Sequence, residues 1–291
     1  MSETAFSIDA AKGCRLSYRV QRAAKRDHPV LVLIHGLASN MTRWTEFVQT
    51  TTLQHDWDIL RFDLRGHGDT MRCADFTHEV WCEDLHTILA AESFTQAVIV
   101  GHSLGAQVAI NFAQRYPGKC AGLVLIDPVF PDALQGKLAT VSKFRGALRM
   151  LIGLVKFCNA LGLKRRKVEK LDLYHFDQQT RALLASSSDK QISEIYADPF
   201  LDIKHLPTAN YLQDMYEVTR PLPPLGAITC PVLVMLSAGA DLADIEQNKR
   251  HAALFPKGAI EIVECDHWML TEKPAESRAI IEAWCRKLVG E

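Results

Sequence analysis

Two hydrophobic patterns divide the chain. Near the N-terminus, AFSIDA and CRLSYRV alternate apolar with polar residues, as expected of strands with one face toward solvent. Later runs are almost continuously apolar, which is typical of strands covered on both faces; they are VLVLIHG, DILRFDL, AVIVGHS, GLVLIDP and PVLVML. Amphipathic stretches at residues 76–94 and 104–118 lie between such runs and predict helices. This alternation predicts an α/β fold with a mostly parallel central sheet flanked by helices.

The alternation stops between about residues 130 and 225. This part of the chain has apolar residues at helical spacing but lacks a strand-like run. After Pro231 the strands and helices resume, and the chain ends in the helical pattern ESRAIIEAWCRKLVG. We therefore predict a core made of residues 1–130 and 226–291, with a helical cap at residues 131–225 inserted after the sixth strand.

The pentapeptide GHSLG, residues 101–105, follows an apolar run and opens an amphipathic stretch. A serine raised on a sharp strand-to-helix turn needs small residues two positions before and two positions after it, and Gly101 and Gly105 meet this need. Such a turn presents the Ser103 hydroxyl above the carboxyl edge of the sheet, where open α/β sheets bind ligands. This context predicts that Ser103 is a nucleophile.

A serine nucleophile needs a base, and the base needs an acid that orients it. His267, in IVECDHWMLTEKP after the last predicted strand, is the candidate base. Asp241, in the loop after PVLVML, is the favoured acid. Asp127, at the end of GLVLID, and Asp244 remain alternatives.

Negative charge develops on the carbonyl oxygen during acyl transfer, and backbone N–H donors must face it. Leu104, directly after the candidate nucleophile, supplies one donor, and Leu37, in the loop after VLVLIHG, supplies the other. The side chain of His102 is expected to point away from the serine. The candidates for lining the pocket are His35, Gly36, Trp44, His102 and Trp268.

Five motifs in this order resemble the α/β-hydrolase fold superfamily, in its serine-nucleophile branch. They are HGLASN (35–40), DLRGHGDT (63–70), GHSLGA (101–106), the GAD loop (239–241) and DHWMLTEKP (266–274). Relatives that open epoxides or remove halide have aspartate at the elbow, so Ser103 makes those reactions a poor match. The chain departs from the family at Asp266, where relatives often have glycine before the histidine.

Together these features predict a serine hydrolase that cleaves carboxylic esters with small to medium acyl or aromatic groups through an acyl-enzyme intermediate. Relatives with a serine nucleophile also hydrolyse thioesters or the carbon–carbon bonds of ring-fission products, and the resemblance leaves these two reactions as alternatives. A ligand-sensing module, which keeps the fold and the pocket without turnover, is the alternative from another class.

The composition and charge of the chain limit the kinds of partner that it is expected to bind. Lys and Arg total 33 against 34 Asp and Glu, a formal net charge of −1, which provides no long-range field to attract nucleic acid. The N-terminus has no signal-peptide pattern, and no run reaches the roughly 18 apolar residues of a membrane-spanning helix. We expect a cytoplasmic protein without a stable membrane anchor, acting on a small-molecule ester. No metal site or cofactor is predicted, and the oligomeric state is left open.

Two further expectations concern particular side chains. The eight cysteines include no CxxC pair, and all are expected to be reduced. Residues 147–163 carry an apolar stripe at helical spacing that is expected to pack on the core, with the basic run KRRKVEK solvated behind it. The alternative is an apolar lid face over an acyl or aromatic substrate, with a basic end that touches a lipid surface. The stripe consists of Leu148, Leu151, Ile152, Val155, Cys158 and Leu161.

Overall fold

The computed structural model describes residues 3–24, 28–73, 75–165, 167–186, 192–196, 198–239 and 244–290. Within them a single eight-stranded sheet runs through the molecule. Its strands are β1 (Thr4–Ala10), β2 (Cys14–Gln21), β3 (Val30–Ile34), β4 (Ile59–Phe62), β5 (Ala97–His102), β6 (Cys120–Ile126), β7 (Val232–Ser237) and β8 (Gly258–Val263).

The strands lie in the order β1-β2-β4-β3-β5-β6-β7-β8. The hairpin of β1 and β2 is antiparallel and joins β4 in antiparallel register, whereas the pairs from β4 through β3 to β8 are parallel. All residues of β3, β5 and β7 are buried, in agreement with their continuous apolar pattern. The predicted fold class, a mostly parallel sheet flanked by helices, is confirmed.

Helices cover both faces of the sheet. Those of the core are α1 (Thr45–Thr50), α2 (His78–Ala91), α3 (Leu104–Arg115), α10 (Ile245–Ala252), α11 (Met269–Glu272) and α12 (Pro274–Val289). Leu85 of α2 and Val108 of α3 belong to the apolar cluster on one face, and Phe47 of α1 and Ile281 of α12 belong to the cluster on the other. The sheet is therefore packed between two apolar cores, which hold in place the edge at which its parallel strands end.

Between β6 and β7 the described residues form six α-helices. They are α4 (Gly136–Lys143), α5 (Arg145–Ala160), α6 (Leu173–Ser186), α7 (Ile192–Tyr196), α8 (Pro199–His205) and α9 (Thr208–Val218). We call residues 131–225 the helical segment. The helices of this segment lie between the sixth and seventh strands, and the cap domain inserted after the sixth strand stays a prediction.

The helical segment is attached to the core by buried polar contacts. His67 Nε2 lies 2.8 Å from an Asp214 carboxylate oxygen of α9, and neither side chain is accessible to solvent. The Gln107 amide of α3 donates to the carbonyl oxygens of Val129, just before the segment, and of Val218, at the end of α9, at 2.7 and 3.0 Å. These contacts hold α9 against the strand edge, because breaking them would leave buried polar groups without partners.

The expectation that all cysteines are reduced is wrong for one pair. Cys14, which begins β2, and Cys73 form a disulfide across 59 residues of sequence. The spacing of the cysteines did not predict this disulfide, because the two residues become neighbours only when the loop after β4 folds back over β2. Cys120 and Cys230 also lie close, with 3.6 Å between their sulfur atoms, and both are free thiols.

The expectation for residues 147–163 is also partly wrong. Ile152 of α5 is buried, as predicted, but Leu151 and Leu161 are exposed to solvent.

Among the helices of the described residues, none is long and apolar enough to cross a membrane.

Candidate active site

Ser103 stands on a strained turn between β5 and α3. Its φ of 54° and ψ of −115° lie in a region that L-residues with side chains rarely adopt. β5 ends at His102 and α3 begins at Leu104, so the serine is the single residue between strand and helix. This is the geometry of a nucleophile elbow, in which the turn lifts the hydroxyl away from the backbone on either side.

The two glycines of the turn are required by backbone contacts. A Cβ on Gly101 would lie 2.3 Å from the carbonyl oxygen of Gly105, and a Cβ on Gly105 would lie 2.6 Å from the carbonyl oxygens of Ile34 and His35. Because the obstructing atoms are backbone atoms, they cannot move aside as a flexible side chain would. The turn therefore tolerates only glycine at these positions.

We expect Gly105→Ala to lower the free energy of unfolding by about 2 kcal/mol or more, the cost of overpacking a rigid site. The matched control is Gly146→Ala in α5, where an added Cβ meets no atom within 4 Å. That change is expected to be neutral or to stabilise by up to about 1 kcal/mol, since alanine is the better helix former. Urea denaturation of both variants checks the difference, and equal stabilities would mean that the turn accepts a side chain at position 105.

His267 is held by a carboxylate. Its Nδ1 lies 2.5 Å from Asp127 Oδ2, and both side chains are almost fully buried. The other oxygen of Asp127 accepts the Ser237 N–H at 3.0 Å, which fixes the carboxylate against the end of β7. An Nδ1–H bound to a carboxylate leaves Nε2 as the nitrogen that can accept a proton.

The structure thus gives His267 a carboxylate partner that the sequence held only as an alternative. Asp241, the favoured acid, lies outside the described residues. Asp244 does not serve this role: its side chain accepts the Gln247 N–H at 2.9 Å and caps α10. Asp127 is therefore the carboxylate at the histidine in the part of the chain that the structure describes.

His102 connects the serine turn to the histidine loop. Its Nε2–H donates to the carbonyl oxygen of His267 at 3.0 Å, and the two rings lie 5.0 Å apart. Burial, reinforced by the neighbouring His267, lowers the pKa of His102 to about 3, so the ring is neutral at physiological pH. The side chain points toward the histidine loop and lines the cavity, where it fixes the position of His267.

The loop after β3 approaches the serine from the other side. A Cβ on Gly36 would lie 3.4 Å from Ser103 Cβ and 3.2 Å from a ring nitrogen of His102, so the loop passes directly over the elbow. Gly36 and Leu37 line the same cavity as Ser103. Leu104 is the first residue of α3, and the first N–H groups of a helix have no intrahelical acceptor.

Two predicted pocket residues do not line this cavity. His35 is buried beneath the loop, where its Nδ1–H donates to the Gly36 carbonyl oxygen at 2.9 Å and its Nε2 accepts the Leu64 N–H at 3.1 Å. Burial, with His67 adding to it, holds the pKa of His35 well below its usual value. Trp44 is fully buried in the core formed with α1 and α12.

Trp268, in contrast, faces the cavity. Its ring lies 5.5 Å from that of Tyr196 in α7 and 5.6 Å from that of His267. It therefore joins the histidine loop to the helical segment at the cavity wall.

The cavity above Ser103 has a volume of about 230 Å³ and lies between the strand edge and the helical segment. Most of its wall is apolar and comes from the helical segment, including Leu138, Leu171, Leu173, Phe176, Leu201, Tyr211 and Met215. Such a wall accepts an apolar group.

Sequence reasoning missed polar residues that line this cavity, among them Arg43 and Asp202. Arg43 is buried, forms an ion pair with Asp177 of α6 and donates to Thr271 Oγ1 at 2.7 Å. Asp202 of α8 lines the cavity, and burial raises its pKa to about 7. No motif or periodicity marked them, because each acquires its surroundings only when the helical segment packs on the core.

The motif DLRGHGDT organises the loops around the site. Asp63 accepts the N–H groups of Met41 and Asp69, each at 2.7 Å, and so ties the loop after β3 to the loop after β4. Burial raises the pKa of Asp63 to about 6, an effect that these two N–H donors oppose. Among the residues that the structure describes, no three His, Cys, Asp or Glu side chains group as a metal site.

Comparison with known proteins shows the family of this chain. Residues 29–274 match the family described as alpha/beta hydrolase fold. The chain belongs to the alpha/beta hydrolase fold family. The predicted resemblance is thereby confirmed, and so is the prediction of a hydrolase as the general class of activity.

Relatives of this hydrolase cover nearly its full length. An abhydrolase domain-containing protein of Schizosaccharomyces pombe is 24% identical over 286 residues, which are 93% of this chain and 97% of that protein. A hydrolase from Pseudomonas aeruginosa has a similar structure, with a TM-score of 0.69 and 19% identity over 99% of both chains. A thermophilic esterase from Thermogutta terrifontis gives a TM-score of 0.68 and 19% identity, again over 99% of both chains. At these identities the structural similarity shows the fold of the alpha/beta hydrolase.

Proposed function

We propose that this hydrolase cleaves carboxylic esters with small to medium apolar acyl or aromatic groups, through an acyl-enzyme on Ser103. The observation that carries the proposal is the meeting of three features in one cavity: a serine on a strained elbow, a histidine whose Nδ1 is bound to Asp127, and an apolar wall. A serine hydroxyl becomes an effective nucleophile when an oriented base can take its proton.

In the proposed reaction, Ser103 Oγ attacks the ester carbonyl carbon while its proton passes to Nε2 of His267. The tetrahedral intermediate then collapses, the carbon–oxygen bond to the alcohol breaks, and the alcohol leaves with the proton from His267. Water, activated by the same imidazole, attacks the acyl-enzyme and releases the carboxylic acid and free Ser103. Asp127 keeps the proton on Nδ1 throughout and stabilises the imidazolium when it forms.

The oxyanion of the intermediate is proposed to lie between the N–H groups of Leu37 and Leu104. The close passage of Gly36 over the elbow brings the first of these backbone segments toward the serine. Donors fixed in place before the reaction stabilise the developing charge without reorganisation, which is the main source of rate enhancement in such sites.

The shape and polarity of the cavity favour the substrate class. About 230 Å³ is small for a ligand pocket, and its wall is mostly apolar. With its pKa raised to about 7, Asp202 is partly neutral near physiological pH, which lowers the cost of placing an apolar group beside it. A fold neighbour described as an esterase agrees with ester hydrolysis.

A substrate panel tests this proposal. We expect kcat/KM for p-nitrophenyl esters to be highest with short to medium acyl chains and about tenfold lower or more with long ones, since a cavity of about 230 Å³ has no room for the extra methylenes. Acyl thioesters and ring-fission dienoates of similar size serve as the matched competitors, and Ser103→Ala provides the background rate. A competitor hydrolysed more than tenfold better than every ester would replace this proposal with thioester or carbon–carbon bond hydrolysis.

A further inference from the structure

An exposed apolar face lies on the outer side of α5. We call Met150, Leu151, Leu154, Phe157 and Leu161, which follow one another at helical spacing, the α5 face. Their side chains are between 45% and 78% exposed, whereas Ile152 on the opposite side of the helix is buried. Scattered single apolar residues are ordinary on a protein surface, but a contiguous row of large ones marks a surface that meets an apolar partner.

The chain around this face is strongly cationic. Residues 133–168 contain nine Lys and Arg and no Asp or Glu, within a protein of net charge −1. Lys143 precedes α5, Lys164 and Lys167 follow it, and all three side chains are exposed. Large apolar residues on one helix face together with several Lys and Arg are the composition of helices that lie in the plane of a membrane surface, and α5 itself carries Arg145, Arg149 and Lys156.

From these observations we propose that the α5 face docks reversibly on an anionic lipid bilayer. The apolar side chains enter the boundary between headgroups and acyl chains, and the surrounding Lys and Arg meet the negative surface. The proposal concerns a surface contact of the folded protein and adds no membrane-spanning element. It rests on the exposure and charge of α5 and does not depend on the proposed reaction.

Charge also argues against a second copy of the chain as the occupant of this face. In a two-fold symmetric dimer the same patch meets itself, so the cationic segments of the two copies would lie opposite each other. Like charges juxtaposed at an interface are unfavourable. An anionic bilayer supplies both the apolar interior and the opposite charge that the face and its ends require.

Vesicle co-sedimentation of the full chain tests the proposal. Vesicles of phosphatidylcholine with one-quarter phosphatidylglycerol are expected to bind the protein, and vesicles of phosphatidylcholine alone are expected to bind it at least tenfold more weakly. The double variant Leu154→Gln/Phe157→Gln should lose at least tenfold in partitioning, because it removes apolar area from the centre of the face. Binding that ignores lipid charge, or that survives this variant unchanged, would overturn the proposal.

The charged ends are tested separately. Lys164→Ala/Lys167→Ala should weaken partitioning by about 25-fold at low salt, since each basic residue near an anionic surface contributes about fivefold. The matched control is Lys257→Ala/Lys273→Ala, which changes the net charge equally at exposed positions outside residues 133–168. If the control weakens binding as much as the test variant does, the attraction is general and the proposed surface is wrong.

Two further controls separate lipid docking from unfolding and from self-association. Leu254, 56% exposed in the turn after α10, provides Leu254→Gln as an apolar substitution that should leave vesicle binding unchanged. Thermal unfolding of each variant should match that of the parent protein, because the substituted side chains are exposed. Sedimentation velocity without lipid should give the same species for parent and Leu154→Gln/Phe157→Gln; a dimer that the variant abolishes would assign the α5 face to self-association instead.

Discussion

Ser103→Ala is expected to lower kcat for short p-nitrophenyl esters by at least about 10³-fold, because the elbow then presents no atom that can form the acyl-enzyme. The residual rate would come from binding and from the oxyanion donors, which remain in place. The measurement is steady-state turnover at saturating ester, with the parent protein and the variant purified identically.

A covalent probe provides the control for this first result. A fluorophosphonate should label the parent protein once, at Ser103, and should not label Ser103→Ala. The variant should unfold at the parent temperature, since the hydroxyl makes no buried hydrogen bond that caps α3. Turnover within tenfold of the parent rate would show that Ser103 is not the nucleophile, even if the fold is intact.

Asp127→Asn is expected to lower kcat by about 10³-fold or more while the protein remains folded. The amide oxygen of asparagine can still accept the Ser237 N–H, which leaves its NH₂ group toward Nδ1 of His267. Two donors cannot face each other, so the imidazole takes the tautomer with its proton on Nε2 and loses its function as a base. Turnover measured across pH, together with thermal unfolding, separates this effect from a loss of structure.

Asp241→Asn is the decisive comparison, because the sequence favoured Asp241 and the structure places Asp127 at the histidine. We expect Asp241→Asn and Asp244→Asn to keep kcat within about threefold of the parent, because the carboxylate of Asp127 already binds Nδ1 of His267. If Asp241→Asn lost activity by orders of magnitude and Asp127→Asn did not, the acid of the proposed mechanism would be Asp241.

The acid shows where sequence reasoning reached its limit. β6 and β7 are neighbours in the sheet and run parallel, with Ile126 paired to Met235, so the loops after both strands open at the same edge. The sequence therefore offers carboxylates of both loops as partners for a histidine at that edge. Which carboxylate binds Nδ1 of His267 depends on the exact positions of the side chains. The hydrophobic pattern of the sequence predicts strands and helices but does not give those positions.

The exposed face of α5 marks a second limit. Helical spacing of apolar residues indicates that one face of a helix is apolar, but it does not say what covers that face. The sequence therefore predicted packing on the core for Leu151 and Leu161, and the structure leaves both exposed. The disulfide between Cys14 and Cys73 is similar, since only the folding of the loop after β4 over β2 makes the two residues neighbours.

The sequence by itself determined the parallel sheet, the helical segment between β6 and β7, and the elbow at Ser103. These follow from local constraints: buried strands must be continuously apolar, and the strained turn requires glycine at positions 101 and 105. The carboxylate at His267, the wall of the cavity and the exposed side of α5 were decided only by tertiary structure. Each depends on contacts between residues far apart in sequence, where the packing of whole elements sets the distances.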